Sequence, residues 1–188
     1  MSKKEEVGKY VYGQIQKLTE KMKYSGGRAK LARLRRGVGK VPGELPELWG
    51  LFLCDIPEEM LSRNGEPSGE EWAIYLSLTL FAVHQQGSSE SVHAEKISLG
   101  KAAAGLLEEQ TDEERERVLR RLGPVLTAKD MPEFSHHLRC FVELLRAKSI
   151  RLDYVRLAKD IFDLQYVDSR KKVQLLWAQD FYYNEKGE

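Results

Sequence analysis

The sequence EEWAIYLSLTLFAVHQQ, residues 70–86, is the most informative about the fold, because its apolar residues cover nearly every side of a helix. Ser68 and Glu71 have the spacing of a capping box, in which two side chains satisfy free backbone N–H groups at a helix start. Gly87 predicts where the helix ends. Since a helix that is hydrophobic all round is normally buried, we expect this one to be the central element of the first half of the chain.

Helical spacing continues on the N-terminal side of this stretch. Apolar residues in steps of three and four predict a helix over residues 3–23, which Gly26-Gly27 should end. Residues 28–40 predict a short second helix, closed by the glycines that it contains, and residues 47–54 predict a short buried helix. The stripe of the first helix consists of Val7, Val11, Ile15, Leu18 and Met22.

The C-terminal half carries further helix-start signals. Thr111 and Glu114 predict a second capping box, and Gly123-Pro124 should end the helix that it opens. Asp130, with Pro132 in the first turn, predicts the start of another helix. The remaining predicted helices cover residues 98–109, 153–165 and 169–183.

No segment shows the sustained apolar–polar alternation of a half-buried strand. The predicted fold class is therefore all-α, with two small packed helical bundles. The polar stretch GSSESVHAEK, residues 87–96, resembles a linker more than any other segment does. We place the domain boundary there, which gives an N-terminal bundle over residues 1–90 and a C-terminal bundle over residues 91–188.

Composition narrows the range of functions. A formal net charge of +1 over 188 residues excludes a uniformly basic nucleic-acid binder but leaves room for a local basic patch. Cys54 and Cys140 lie far apart in apolar runs, so we expect two buried thiols in a reducing compartment. Trp49, Trp72 and Trp177 lie in apolar helical contexts, which predicts core packing. No apolar run approaches the roughly 18 residues of a membrane span and no signal peptide is recognisable, so the predicted location is cytoplasmic, without a membrane.

The stretch RAKLARLRRGVGK, residues 28–40, contains six cations and no acidic residue. At about 100° per residue, its larger apolar residues Leu31, Leu34 and Val38 fall on one narrow arc of a helix. Solvated faces usually mix both signs of charge, and a guanidinium donates two parallel hydrogen bonds to a phosphate, so we predict contact with nucleic acid. The cations are Arg28, Lys30, Arg33, Arg35, Arg36 and Lys40.

Acidic residues follow this stretch, and between Glu44 and Glu71 the single cation is Arg63. We expect this segregation to create an acidic face that is separate from the basic face. Such a face would orient the protein on nucleic acid or would meet a basic protein partner.

A second basic set lies in the C-terminal half. Cations in a last helical turn often only complement the helix dipole, so a structural role and a phosphate-binding role both stay open for several of its members. The set comprises Arg117, Arg120, Arg121, His136, His137, Arg139, Arg146, Lys148, Arg170, Lys171 and Lys172.

Catalytic and metal-binding patterns are absent from the sequence. His136 and His137 are neighbours that point about 100° apart on a helix, so they cannot share a metal. There is no recognisable nucleophile, metalloprotease or phosphate-loop motif. We therefore expect no enzymatic activity, no catalytic residue, no metal and no cofactor.

Five segments occur in an order and at a spacing that are informative together: LARLRRGVGKVPGELPELWGLF (31–52), EEWAIYLSLTLFAVHQQG (70–87), ISLGKA (97–102), LDYVRLAKDIFDLQ (152–165) and VQLLWAQDFYY (173–183). The chain resembles the CasB family, the small subunit of the type I-E CRISPR surveillance complex Cascade, from about Arg28 to Tyr183. The resemblance implies a non-enzymatic, all-helical subunit with two small bundles that acts in antiviral defence.

The resemblance also implies partners and site residues. The implied partners are the backbone and large subunits of Cascade, guide RNA, target DNA including the displaced strand of the R-loop, and a second copy of the chain. In this family basic surfaces steady the hybrid and the displaced strand by contacting phosphates. The family's Ser-Leu-Gly-Arg motif occurs here with Lys101 in place of the arginine. The candidate nucleic-acid-binding residues are thus Arg28, Lys30, Arg33, Arg35, Arg36, Lys40, Lys101, Arg121, Arg139 and Arg146.

Other classes of function stay open at this point. The main alternative is a helical protein–protein adaptor whose basic helix docks on an acidic partner. A helix-turn-helix regulator is a third option, although residues 28–40 are short and evenly basic for a recognition helix. An unrecognised enzyme is the last.

Overall fold

The computed structural model describes residues 2–183, which contain nine α-helices and confirm the predicted all-α class. A 3₁₀ turn at Glu58–Met60 lies between α3 and α4. The helices are α1 Lys3–Lys21, α2 Ser25–Arg36, α3 Pro46–Phe52, α4 Gly69–His84, α5 Leu99–Ala104, α6 Asp112–Thr127, α7 Met131–Ala147, α8 Tyr154–Leu164 and α9 Val167–Tyr182. No helix within these described residues is long and apolar enough to cross a membrane.

Helix α4 is the central element, as predicted, and every residue from Glu70 to Gln85 is buried. Its predicted capping box is confirmed. The Ser68 hydroxyl accepts from the Glu71 N–H at 3.0 Å, and the Glu71 carboxylate accepts from the Ser68 N–H at 2.6 Å. Helices α1, α2, α7 and α8 pack around α4, so elements from both ends of the chain share its surface.

The buried side chains form one connected hydrophobic core that runs through both predicted halves. Helix α1 packs against α8, α5 against α9, and α6 against α7. Trp177 and Tyr154 are among the largest fully buried side chains, and burial of a large apolar side chain contributes roughly 1.5–3 kcal/mol. The division into residues 1–90 and 91–188 stays a prediction.

The glycine pair at residues 26 and 27 does not end the first helix, contrary to the sequence prediction. Helix α1 ends at Lys21, and both glycines lie in the first turn of α2. A Cβ atom on Gly27 would overlap the carbonyl group of Lys21, so the tight connection between the two helices requires glycine there.

Helix α6 also departs from its prediction, because it continues through Pro124 to Thr127. Proline removes one backbone hydrogen bond, and the carbonyl group that loses its donor belongs to the exposed residue Arg120, where water can satisfy it. Val125 is buried and anchors the last turn of the helix in the core. Because Pro124 lies only three residues before the end of α6, the proline destabilises the helix little.

Three burial predictions are wrong. Cys54 and Cys140 are both exposed free thiols. Trp49 is 51% exposed and donates from Nε1 to the Gly43 carbonyl at 2.8 Å, because α3 is only seven residues long and turns its Leu48 and Phe52 inward instead. Trp72 and Trp177 are buried as predicted.

Candidate nucleic-acid interface

The cations of α2 point in different directions around the helix. Leu31 and Leu34 are buried as predicted and fix the inward side. Seven residues separate Arg28 from Arg35, which places them on the same flank of the helix, and both line one cleft. Lys30 lies on the opposite flank, in a different cleft between α1 and α3.

Two adjoining clefts meet at the loop that follows α4. The α2 cleft, of about 460 Å³, is lined by Arg28, Arg35 and residues 85–89. The α7 cleft, of about 670 Å³, is lined by Arg146, Arg151 and residues 86–92. The segment 86–89 borders both clefts, so predicted site residues from the two halves of the sequence lie on either side of one loop.

Arg35 and Arg146 reach the same helix end from opposite directions. Arg35 Nη1 donates to the Ala82 carbonyl at 3.4 Å, and Arg146 Nη1 donates to the Val83 carbonyl at 3.5 Å. The last carbonyl groups of α4 carry partial negative charge, which these cations offset. Arg146 Nη1 also donates to Gln86 Oε1 at 3.0 Å. Both arginines therefore combine a structural contact with a position at the edge of a cleft.

His84 lies beneath the α7 cleft and is buried. Its Nδ1 atom is 2.9 Å from the Tyr154 hydroxyl. Burial is the main cause that lowers the pKa of His84 to about 4, and the nearby Arg146 lowers it further. The imidazole is thus neutral at neutral pH, and the positive charge of this cleft comes from its arginines.

The acidic stretch does not form a face apart from the basic one, which corrects the sequence prediction. Glu47 accepts from Arg36 Nη1 through both carboxylate oxygens, at 3.0 and 3.3 Å. Glu44 accepts from Lys40 Nζ at 2.8 Å, and this contact lowers the pKa of the Glu44 carboxyl group. Two of the six cations of residues 28–40 are therefore paired within the chain.

Arg33 and Lys30 have no acidic partner within 4 Å among residues 2–183, and both are exposed. An exposed cation without an intramolecular partner can bind an external anion, because no ion pair within the protein has to break first. Arg28 is also exposed, and its Nη1 atom donates to the Lys23 carbonyl at 3.2 Å.

The remaining candidates of the C-terminal half lie outside the two clefts. Arg139 is seven residues before Arg146 on the same face of α7, and it donates to Glu143 at 3.1 Å. Arg121 is exposed on α6 and lines neither cleft. Arg151, which the sequence analysis missed, lines the α7 cleft and contacts Glu90 at 2.5 Å. It lies in the short connection between α7 and α8, where no helical periodicity marks it.

Lys101 lies on α5, which packs closely against α9. Ser98 caps α5 and donates from Oγ to Asp180 Oδ2 at 2.5 Å. A Cβ atom on Gly100 would overlap the Trp177 carbonyl oxygen, so the glycine allows the two helices to meet. Lys101 then lines a separate cleft of about 650 Å³, which we call the Lys101 cleft.

The Lys101 cleft contains further cations that the sequence analysis did not select. Lys96, Arg156 and Lys159 line it together with Lys101. Its buried acids are Asp153 and Asp160, and Asp160 accepts from Trp177 Nε1 at 2.8 Å. Burial raises the pKa of Asp160 to about 6, although the Trp177 hydrogen bond and Arg156 oppose the shift. These residues come from distant parts of the sequence, and only the tertiary fold brings them together.

Comparison with known proteins decides the family. Residues 30–182, which make up most of the chain, match the family described as CRISPR-associated protein Cse2. The chain belongs to the Cse2 family. The resemblance predicted from the sequence is thereby confirmed, and Cse2 (CasB) is a structural subunit of the type I-E CRISPR Cascade complex.

Two solved structures share the Cse2 fold with this chain. CasB from Thermobifida fusca is 29% identical, with a TM-score of 0.79, over 94% of this chain and 98% of that one. CasB from M. ruber is 25% identical, with a TM-score of 0.63, over 91% of this chain and 93% of that one. Comparison with curated proteins gives no match. The family match includes both sides of the α2 and α7 clefts except Met22, Lys23 and Arg28, which precede residue 30.

Proposed function

We propose that this Cse2 subunit stabilises guide RNA, target DNA and the displaced strand of the R-loop by binding phosphates in the α2 and α7 clefts and at the exposed Arg33 of α2. The observation that carries the proposal is the arrangement of arginines from α2 and α7 on both sides of residues 86–89. Phosphate contacts hold a strand in position without reading its bases. Sequence would then be read by pairing between guide and target.

Small binding energies are sufficient for this role. The guide–target hybrid is about as stable as the DNA duplex that it replaces, so opening the duplex is nearly balanced in free energy. A few arginine–phosphate contacts on the displaced strand would favour the open state. The three serines among residues 88–91 and the free edges of Arg28 and Arg35 offer such a strand hydrogen-bond donors.

The proposed partners in the assembly are the backbone and large subunits of Cascade and a second copy of this chain. Two copies side by side would lengthen the basic surface available to one strand. Arg139, Arg121 and Lys101 would extend it further, as the sequence predicted. We expect no cofactor or metal to take part.

The test is a titration of unrelated single-stranded DNA and RNA sequences against salt concentration. Affinity should fall as salt rises, with a slope of about 0.7 for each phosphate neutralised on a single strand. The double variant Arg28→Ala/Arg33→Ala should weaken binding about tenfold for every sequence and should lower the slope by about 1.4. In assembled Cascade the same variant should reduce target binding.

Arg63→Ala is the matched control, because Arg63 is exposed, contacts Glu58, and lies within the acidic stretch. Its affinity should equal that of the wild type. Equal affinity of Arg28→Ala/Arg33→Ala and wild type would refute the assignment. Selective capture of one acidic protein, with no oligonucleotide binding, would favour the adaptor function instead.

A further inference from the structure

Some of the cations that line the Lys101 cleft form ion pairs within the chain, and others do not among the described residues. Arg156 contacts Asp180 at 3.2 Å, and Lys159 contacts Glu5 at 2.6 Å. Lys96 and Lys101, however, have no carboxylate within 4 Å in the part of the chain that the structure describes. Positive charge without a partner, in a concave site, favours an anionic ligand.

His93 contributes a buried donor to the same cleft. Its side chain is only 8% exposed, and Nδ1 accepts from the Tyr154 N–H at 3.1 Å. Since Nδ1 is an acceptor, the neutral ring carries its hydrogen on Nε2. Among residues 2–183 this Nε2 group has no hydrogen-bond partner. Buried donors are nearly always satisfied, so an acceptor that enters the cleft would complete this one.

The acids around the cleft are largely occupied by internal donors. Asp153 accepts from the backbone N–H groups of Lys96, Val155 and Arg156 at 2.9 to 3.0 Å. Asp160 accepts from Trp177. Glu95 is exposed and is the lining carboxylate that opposes an anion. The unsatisfied groups of the cleft are therefore mainly donors.

Two partly exposed apolar side chains also line the cleft. Tyr12 on α1 is 44% exposed and Leu176 on α9 is 45% exposed, and both line the cleft. Aromatic rings of this kind are stacking platforms for the bases of single strands. A volume of about 650 Å³ is enough to contain a ring as well as a phosphate. The cleft thus offers a charged end and a stacking surface together.

We propose that the Lys101 cleft holds one unpaired nucleotide of a single strand, with its phosphate at Lys96, Lys101 and His93 and its base against Tyr12 and Leu176. This inference rests on the proposed function and sharpens it, because it adds a base-holding pocket to surfaces that contact phosphates. The pocket takes any base, since stacking is tolerant of sequence.

Photocrosslinking locates the base directly. The probe is a ten-residue oligothymidylate that contains 4-thiothymidine, bound to the full chain and irradiated. Crosslinks should map to the α1 peptide that contains Tyr12. Tyr12→Ala should weaken binding at least about fivefold, whereas Tyr12→Phe should retain the affinity, because the ring and not the hydroxyl group does the stacking.

The phosphate end has its own pair of variants. Lys101→Ala should weaken binding about tenfold, and Lys101→Arg, which restores the residue usual in the family motif, should bind at least as well as wild type. If the oligonucleotide binds in an Arg33-dependent way while Tyr12→Ala and Lys101→Ala bind like wild type, the pocket is refuted and the proposed function stands. If the oligonucleotide does not bind at all, both are refuted.

Discussion

The α7 cleft and the Lys101 cleft each contain arginines or lysines beside buried titratable groups, yet they use their charges differently. In the α7 cleft Arg146 donates to the end of α4, and the buried group is a histidine that stays neutral. In the Lys101 cleft Lys96 and Lys101 have no carboxylate partner among residues 2–183, and the buried group with a shifted pKa is the acid Asp160. A basic residue in the sequence can therefore stabilise the fold, bind a ligand, or do both, and its contacts determine which.

The largest predicted effect concerns His84 in the α7 cleft. Its folded-state pKa of about 4 lies below its ordinary value of 6.5, so the unfolded chain binds the proton first on acidification. The His84 contribution to stability is complete above about pH 6.5, and up to about 3 kcal/mol is lost as the pH falls towards 4. His84→Gln should remove this loss. Urea denaturation of both proteins between pH 4.5 and 7.5 checks it, and parallel profiles would contradict it.

Asp160 in the Lys101 cleft should show the opposite sign. Its folded-state pKa of about 6 lies above the ordinary value of 3.8, so the folded chain binds the proton first. The burial of the charge costs stability above about pH 6, and up to about 3 kcal/mol is recovered as the pH falls towards 4. Asp160→Asn should therefore be more stable than wild type at pH 7.5, with a gain that shrinks on acidification. A variant that is less stable at pH 7.5 would contradict this assignment.

The third prediction separates structural arginines from free ones. Arg35→Ala/Arg146→Ala should lower the free energy of unfolding by about 2 kcal/mol, because the end of α4 loses two cationic donors. Arg33→Ala, which breaks no ion pair or side-chain hydrogen bond among residues 2–183, should change it by less than about 0.5 kcal/mol. Thermal and urea unfolding measure both. Equal stabilities would mean that the long contacts at 3.4 and 3.5 Å contribute nothing.

The smallest predicted effect concerns a variant that frees a paired cation. Glu47→Gln removes the carboxylate that Arg36 contacts, so Arg36 becomes available to phosphate. Affinity for single-stranded DNA should rise about two- to threefold, and stability should fall by less than about 1 kcal/mol. Glu58→Gln, which frees Arg63, is the control and should leave the affinity unchanged. No gain for Glu47→Gln would show that Arg36 lies outside the binding surface.

Helix positions were predictable because local chemistry decides where a helix starts. Ser68 and Asp130 begin their helices as predicted, and the all-round apolar pattern of residues 70–86 placed α4 at the centre. Helix ends were less predictable. Gly27 is required by the close approach of α2 to the Lys21 carbonyl group, which only the fold reveals. Pro124 is tolerated because the carbonyl group that loses its donor belongs to the exposed residue Arg120.

The site could be predicted only as a set of cations. The sequence identified Arg28, Arg35 and Arg146, but it could not show that they meet at residues 86–89, since that depends on how α2 and α7 pack around α4. The pairing of Arg36 with Glu47 was missed for the same reason. His93 and Tyr12 carried no signal of their own, because neither belongs to a motif.

The complete burial of α4 has a consequence for hydrogen exchange. The backbone amides of this helix are covered by α1, α2, α7 and α8, so water reaches them only after helices from both ends of the chain have moved away. No local opening of one terminus is sufficient. The amides between residues 74 and 83 should therefore be the slowest in the chain to exchange, and their rate should report the unfolding of the whole molecule.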